Sequence, residues 1–172
     1  MNISLGFGGW IGLIIVLLLL FSSAVHVLKE YERAVVFRMG RLIGDKGPGI
    51  IFIIPFVDKI VKVSLRIITL DVASQETITK DNVPVKINAV VYFRVIDPNR
   101  SIVEISDYVE ATSAISQTTL RSVVGQIDLD ELLSQRDKVN EKLQQIIDKH
   151  TDPWGIKVSI VEVKDLEIPE NM

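Results

Sequence analysis

Residues 83–95 read VPVKINAVVYFRV, and they alternate almost without a break. Val83, Val85, Ile87, Ala89, Val91, Phe93 and Val95 fall on one face; Pro84, Lys86, Asn88, Tyr92 and Arg94 fall on the other. A period of two predicts a strand, and the polar second face suits an antiparallel sheet with one solvated side. Glu76–Thr79 lies just upstream across Lys80-Asp81-Asn82, which predicts a hairpin. Glu32–Met39 is a shorter β-like run. Val57–Val72 alternates as well, with Val61, Val63, Leu65 and Ile67 on one face. At Ile67-Ile68 its apolar set switches to Ile68, Leu70 and Val72, as one extra residue in a β-bulge would cause. Ile156–Leu166 reads as a closing strand with a similar switch at Ile160-Val161.

Between the last two strands lie three helix starts. Asp97-Pro98 places a cap residue before a first-turn proline. Asp107-x-x-Glu110 and Asp128-x-x-Glu131 have the form of capping boxes. The second helix, about Tyr108–Gln126, carries Leu120, Val123, Val124 and Ile127 at helical spacing. The third carries Val139, Leu143, Ile146 and Ile147 from Ser134 onwards and ends at Thr151-Asp152-Pro153-Trp154-Gly155. Such stripes are core faces. The class is α+β: an antiparallel meander, a helical layer and a closing strand.

The charges are partitioned. Residues 1–28 contain no Asp, Glu, Lys or Arg, and all 41 charged residues of the 172-residue chain follow. Trp10–Leu28 is apolar apart from Gly12, Ser22, Ser23 and His26, with Ile3 and Leu5 ahead of it. As a helix it would cover about 28 Å, near the thickness of a hydrocarbon core. A cleaved signal peptide normally opens with basic residues, and none precedes Lys29, so a retained anchor is favoured. Its membrane-contacting residues would include Trp10, Ile14, Leu18 and Phe21, with Tyr31 as the aromatic on the exit side. Lys29, Arg33, Arg38 and Arg41 follow the span. By the positive-inside rule this predicts a single pass in the cell membrane, with the N-terminus outside and the remainder cytoplasmic. Val27/Leu28, Tyr31 and Arg33 also fit a sterol-contact pattern, but ordinary interfacial anchoring by Tyr31 and Arg33 is the better explanation.

Gly44-Asp45-Lys46-Gly47-Pro48-Gly49 is a turn cluster without the Lys-Ser/Thr of a phosphate-binding loop. Ile50–Phe56, IIFIIPF, follows with no polar side chain. It reads either as a strand buried on both faces or as an apolar hairpin pressed into the bilayer surface. In the second reading Ile51, Phe52, Ile54 and Phe56 contact lipid.

No catalytic constellation is present. There is no cysteine, and the two histidines, His26 and His150, are far apart in sequence. The serine-nucleophile and zinc-helix motifs are missing, and the paired acids sit at helix starts. This predicts a chain that is not an enzyme and takes no cofactor or metal. A net charge of −3 argues against nucleic acid as a partner.

Taken together, Glu30–Arg41 (EYERAVVFRMGR), Gly47–Pro55 (GPGIIFIIP), Ile78–Arg94, Val95–Pro98 (VIDP), Thr118–Leu133 (TTLRSVVGQIDLDELL) and Thr151–Pro169 resemble the stomatin/prohibitin/flotillin/HflK-C (SPFH, band 7) superfamily. The resemblance is nearest to its prokaryotic stomatin-like, or slipin, branch. It implies a transmembrane anchor (1–28), an SPFH domain (29–168) and, at 169–172, the start of a helix that the family continues as a coiled coil. It further implies a large homo-oligomer, ring or cage, that contacts membrane lipid, organises membrane microdomains and regulates membrane proteins. An alternative within the superfamily is a regulatory subunit of a membrane protease, of the HflK/C or NfeD-associated kind. The chain lacks the acylated cysteine and the bending proline of eukaryotic stomatins, so lipidation and hairpin topology do not carry over.

Overall fold

The computed structural model describes residues 7–169. Ile3 and Leu5, and Glu170–Met172 of the expected terminal helix, lie outside the described residues. The chain divides into two compact units, Met1–Ser64 and Leu65–Met172.

The first unit opens with helix α1 (Phe7–Ala24) and continues through strands β1 (Val25–Leu28), β2 (Glu32–Arg38), β3 (Arg41–Lys46), β4 (Gly49–Phe52) and β5 (Asp58–Ser64). Two antiparallel sheets form, β1-β4 and β3-β2-β5. Leu28, Ala34 and Ile51 are buried together, with Ile53 and Ile60 against them.

The second unit contains β6 (Ile68–Ile78), β7 (Pro84–Val95), α2 (Pro98–Val103), α3 (Tyr108–Val124), α4 (Leu129–Ser134), α5 (Arg136–Thr151), a 3-10 turn over Asp152–Trp154 and β8 (Ile156–Glu167). Its sheet is antiparallel in the order β6-β7-β8. The alternation in 83–95 holds as read: Val85, Ile87, Ala89, Val91, Phe93 and Val95 are buried. Leu120, Val123, Val124, Ile127, Val139, Leu143 and Ile147 cover that face from the helices. Each such side chain removed from water contributes roughly 1.5–3 kcal/mol. The solvated face of β7 is stitched to β8, where Asp165 N donates to Asn88 Oδ1 at 2.7 Å.

Several local expectations change. The parity switch at Ile67-Ile68 is not a bulge, because β5 ends at Ser64 and β6 begins at Ile68. The bulge lies further on, between Val72 and Gln75. The switch near Ile160 is a bulge, since Tyr92 pairs with Ile160 while Phe93 pairs with Val158. The third helix is split at Gln135 (φ −122, ψ 45) into α4 and α5. Asp107 caps α3 by accepting from Val109 N and Glu110 N. Asp128 makes no side-chain cap bond to α4. Asp81, from the β6–β7 hairpin, accepts from Leu129 N instead.

Candidate membrane-contact surface

α1 has 18 residues, FGGWIGLIIVLLLLFSSA, and at about 1.5 Å each it is about 27 Å long. Trp10, Ile14, Leu18 and Phe21 are all exposed on it. Among the described residues no helix is long and apolar enough to cross a membrane. The sequence reading ran the helix on to Leu28, but Val25–Leu28 leave it as β1 and pair with Gly49–Phe52. The reason is local. β-branched Val25 and Val27 flank His26, a pattern that favours a strand, and β4 offers a free edge. The change from helix to strand takes place between Ala24 and Val25 with no residue between them.

The apolar run Ile50–Phe56 matches neither expectation in full. It is not a strand buried on both faces, because only Gly49–Phe52 is strand and Ile50 and Phe52 face outward. It is not wholly a surface either. Ile51 is 6% exposed and packs in the interior with Leu28 and Ala34, so its side chain does not belong to a lipid-facing set. Phe52, Ile54 and Phe56 are exposed, Phe56 by 98%. Tyr31 is half-buried with Lys29 Nζ 5.8 Å from its ring centre, so it packs partly on the unit. Lys29 and Arg33 also brace their own turn: Lys29 N donates to Glu32 Oε2, and Arg33 Nη1 to the Glu30 and Glu32 carbonyls.

A polar clamp holds the loop after β4. Asp58, whose side chain is fully covered, receives Arg38 Nε at 2.8 Å and Nη2 at 3.1 Å. The same carboxylate accepts from Ile54 N at 2.9 Å. The Arg38 hydrogen bonds and the Ile54 amide together pull the Asp58 pKa down to about 2. Asp58 N donates to Ile54 O, closing the turn. On one side Ile53 N donates to Ala24 O, the last residue of α1, at 2.9 Å; on the other Met39 N donates to Val57 O at 3.1 Å. Lys46 Nζ donates to Phe52 O at 2.6 Å. The loop that displays Ile54 and Phe56 is therefore tied to the end of α1 and to the β2–β3 turn.

Sequence reading missed the rest of this face. Met39 and Gly40 form a two-residue turn with φ of 48 and 82, both left-handed, and Met39 is 87% exposed. Gly44-Asp45-Lys46 was read as the start of a turn cluster, and no strand was expected over β3. Instead it pairs with β2 through Asp45 and Lys46, with Ile43 as the exposed extra residue at its bulge. The only local signal was Gly40 at the turn, and Met-Gly is not one of the dipeptides that mark a two-residue hairpin. Among the described residues no group of three His, Cys, Asp or Glu could hold a metal.

This is the architecture of an α+β protein with an apolar N-terminal helix running into paired strands. The model of the SPFH domain / Band 7 family matches residues 26–172, and the chain belongs to that family. It is similar to a protein of Archaeoglobus fulgidus, 61% identical over 163 residues that span 95% of this chain and 66% of the relative. A stomatin homolog of Pyrococcus horikoshii is 60% identical over 160 residues, 93% of this chain and 60% of its own length. Stomatin-1 of Caenorhabditis elegans is 45% identical over 149 residues, 86% and 45% of the two chains. The chain thus spans less than two thirds of each of these three relatives, and it is stomatin-like throughout the matched region.

Proposed function

We propose that this chain is the membrane-proximal part of a stomatin-type scaffold: a non-enzymatic protein that self-assembles on a membrane and organises lipid and membrane proteins around it. α1 serves as a single-pass anchor, with its N-terminus outside and the strands and helices after it on the cytoplasmic side. The observation that carries the reading is the continuity of exposed apolar surface from Trp10–Phe21 on α1 to Phe52, Ile54 and Phe56, joined at the Ile53–Ala24 hydrogen bond. Family membership and the likeness to stomatin homologues support the scaffold role. The 18 residues described for α1 are close to the roughly 20 that span comfortably, and bilayers accommodate a modest mismatch by adjusting their local thickness.

The test is reconstitution of the whole chain into vesicles followed by an alkaline carbonate wash. The chain should stay with the lipid, and Ile14→Asp with Leu18→Asp should release it, since an acid at mid-bilayer costs roughly 2.5–3.5 kcal/mol. Release of the unaltered chain would sink the anchor. Mass photometry of the protein in detergent addresses assembly, where a strict monomer would refute the scaffold. Protease protection from either side of sealed vesicles reads the orientation.

A further inference from the structure

Two bulky apolar residues stand in left-handed backbone conformations, Met39 (φ 48) and Phe56 (φ 69), and both are almost wholly exposed. Each breaks two rules at once, because left-handed φ disfavours large side chains and water disfavours exposed apolar ones. They occur side by side, since the Met39 amide donates to the Val57 carbonyl. Ile43, the extra residue of the β3 bulge, and Ile54 are exposed at the same end of the sheet. Local violations that cluster in this way mark a functional surface.

The charges around this tip are of one kind apart from the clamp. The last two rows of the β3-β2-β5 sheet are Arg41, Arg38 and Asp58, then Leu42, Phe37 and Lys59. Arg41 and Lys59 are exposed, and Asp58 is neutralised by Arg38. Across the chain the contrast is sharper. Met1–Ser64 holds seven Lys and Arg against four Asp and Glu, net +3; Leu65–Met172 holds twelve against eighteen, net −6. Cations are no denser in Met1–Ser64 than in the rest of the chain; the positive balance comes from the scarcity of acids in the unit that carries the apolar helix. Exposed apolar side chains ringed by Lys and Arg match an interface of acyl chains and anionic headgroups.

We infer that the Met39–Gly40 turn and the Ile53–Val57 loop form one apolar wedge, rimmed by Arg41 and Lys59, that docks on an anionic phospholipid surface. The inference rests on the reading of α1 as the anchor, because the Ile53–Ala24 bond then holds the wedge at the leaflet where α1 leaves the bilayer. Phe56, Ile54 and Met39 enter the acyl boundary while Arg41 and Lys59 meet the headgroups.

The absence of cysteine makes the test clean, since any introduced one is the sole labelling site. The whole chain, as Met39→Cys or Phe56→Cys, is labelled with an environment-sensitive fluorophore. It is reconstituted into phosphatidylcholine vesicles with or without phosphatidylglycerol, carrying a shallow spin-labelled lipid as quencher. Both probes should be blue-shifted and quenched when phosphatidylglycerol is present. Arg41→Gln and Lys59→Gln should each lower the docked-to-undocked ratio by about fivefold, with thermal unfolding unchanged. Leu18→Cys with a deep quencher reports the anchor separately. If that probe is quenched while those at 39 and 56 are not, the wedge fails and the anchor stands; if it is unquenched, the anchor itself fails. Equal quenching with and without phosphatidylglycerol would overturn the anionic preference. A blue shift that follows protein concentration rather than lipid would assign the face to a second copy of the chain and overturn the proposal.

Discussion

Phe56 and Asp58 lie two residues apart and do opposite work on the same loop. The left-handed backbone at Phe56 is a strained position for an L side chain and an easy one for glycine. Phe56→Gly should therefore raise stability by about 1 kcal/mol in a denaturant titration while weakening lipid contact, a trade that a merely structural residue would not show. Asp58 supplies the restraint. Its folded pKa is depressed to about 2 by Arg38 and the Ile54 amide. The stability it contributes is fully present above the ordinary carboxylate value of about 3.9 and is lost as pH falls through about 2. Thermal midpoints measured from pH 5 to pH 2 should fall over that window, and Asp58→Asn should start lower and flatten this part of the decline. An unchanged acid profile in Asp58→Asn would show that the clamp does not hold the loop.

At the scale of elements, caps and close approaches decide more than propensity does. Asp81 reaches from one hairpin to start α4, and Thr79 Oγ1 donates to it in turn. Asp81→Ala should cost about 1 kcal/mol, whereas Asp128→Ala should cost no more than about 0.5 kcal/mol, its ion pair with Lys80 being long and exposed. Chemical denaturation of the two variants separates them. Gly155 is stricter: its φ is 71, and a Cβ there would sit 2.6 Å from the Asp97 carbonyl oxygen. Its own carbonyl accepts from Ile96 N and Asp97 N. Gly155→Ala should destabilise by about 2–3 kcal/mol, read as a lowered unfolding midpoint. These cases explain what could be read in advance. The 83–95 strand, its hairpin and the α3 and α5 stripes were legible because period and burial agree along one element. The α4 cap, the split at Gln135 and the β1-β4 pair were not, because each depends on residues far away in sequence. For the candidate surface, apolarity singled out Phe52, Ile54 and Phe56 but left open whether they are buried; in the fold they are exposed. Ile51 was misread because pairing with His26 in β1 turns it inward, and Met39 was missed because nothing local marks an exposed methionine at a turn.

At the scale of the whole molecule, the partition noted in the sequence, an uncharged start and a charged remainder, becomes a three-way division. An apolar helix is followed by strands of net positive charge, and these by a unit of net negative charge. Attraction to an anionic surface should then belong to Met1–Ser64 alone and weaken with salt as the Debye length shrinks from about 10 Å at 0.1 M to about 3 Å at 1 M. The fluorescence of the Phe56→Cys probe should revert towards its aqueous value in high salt, while the label at Leu18→Cys is unaffected. One feature of α1 gives this arrangement a mechanical side. The helix becomes β1 with no linker, and its last carbonyl is bonded to the wedge loop. There is no slack to take up a change in the bilayer. With α1 as the anchor proposed above, a thicker membrane should draw the first strand and the loop inward and a thinner one should release them, so membrane thickness should register as a displacement of the β1-β4 sheet.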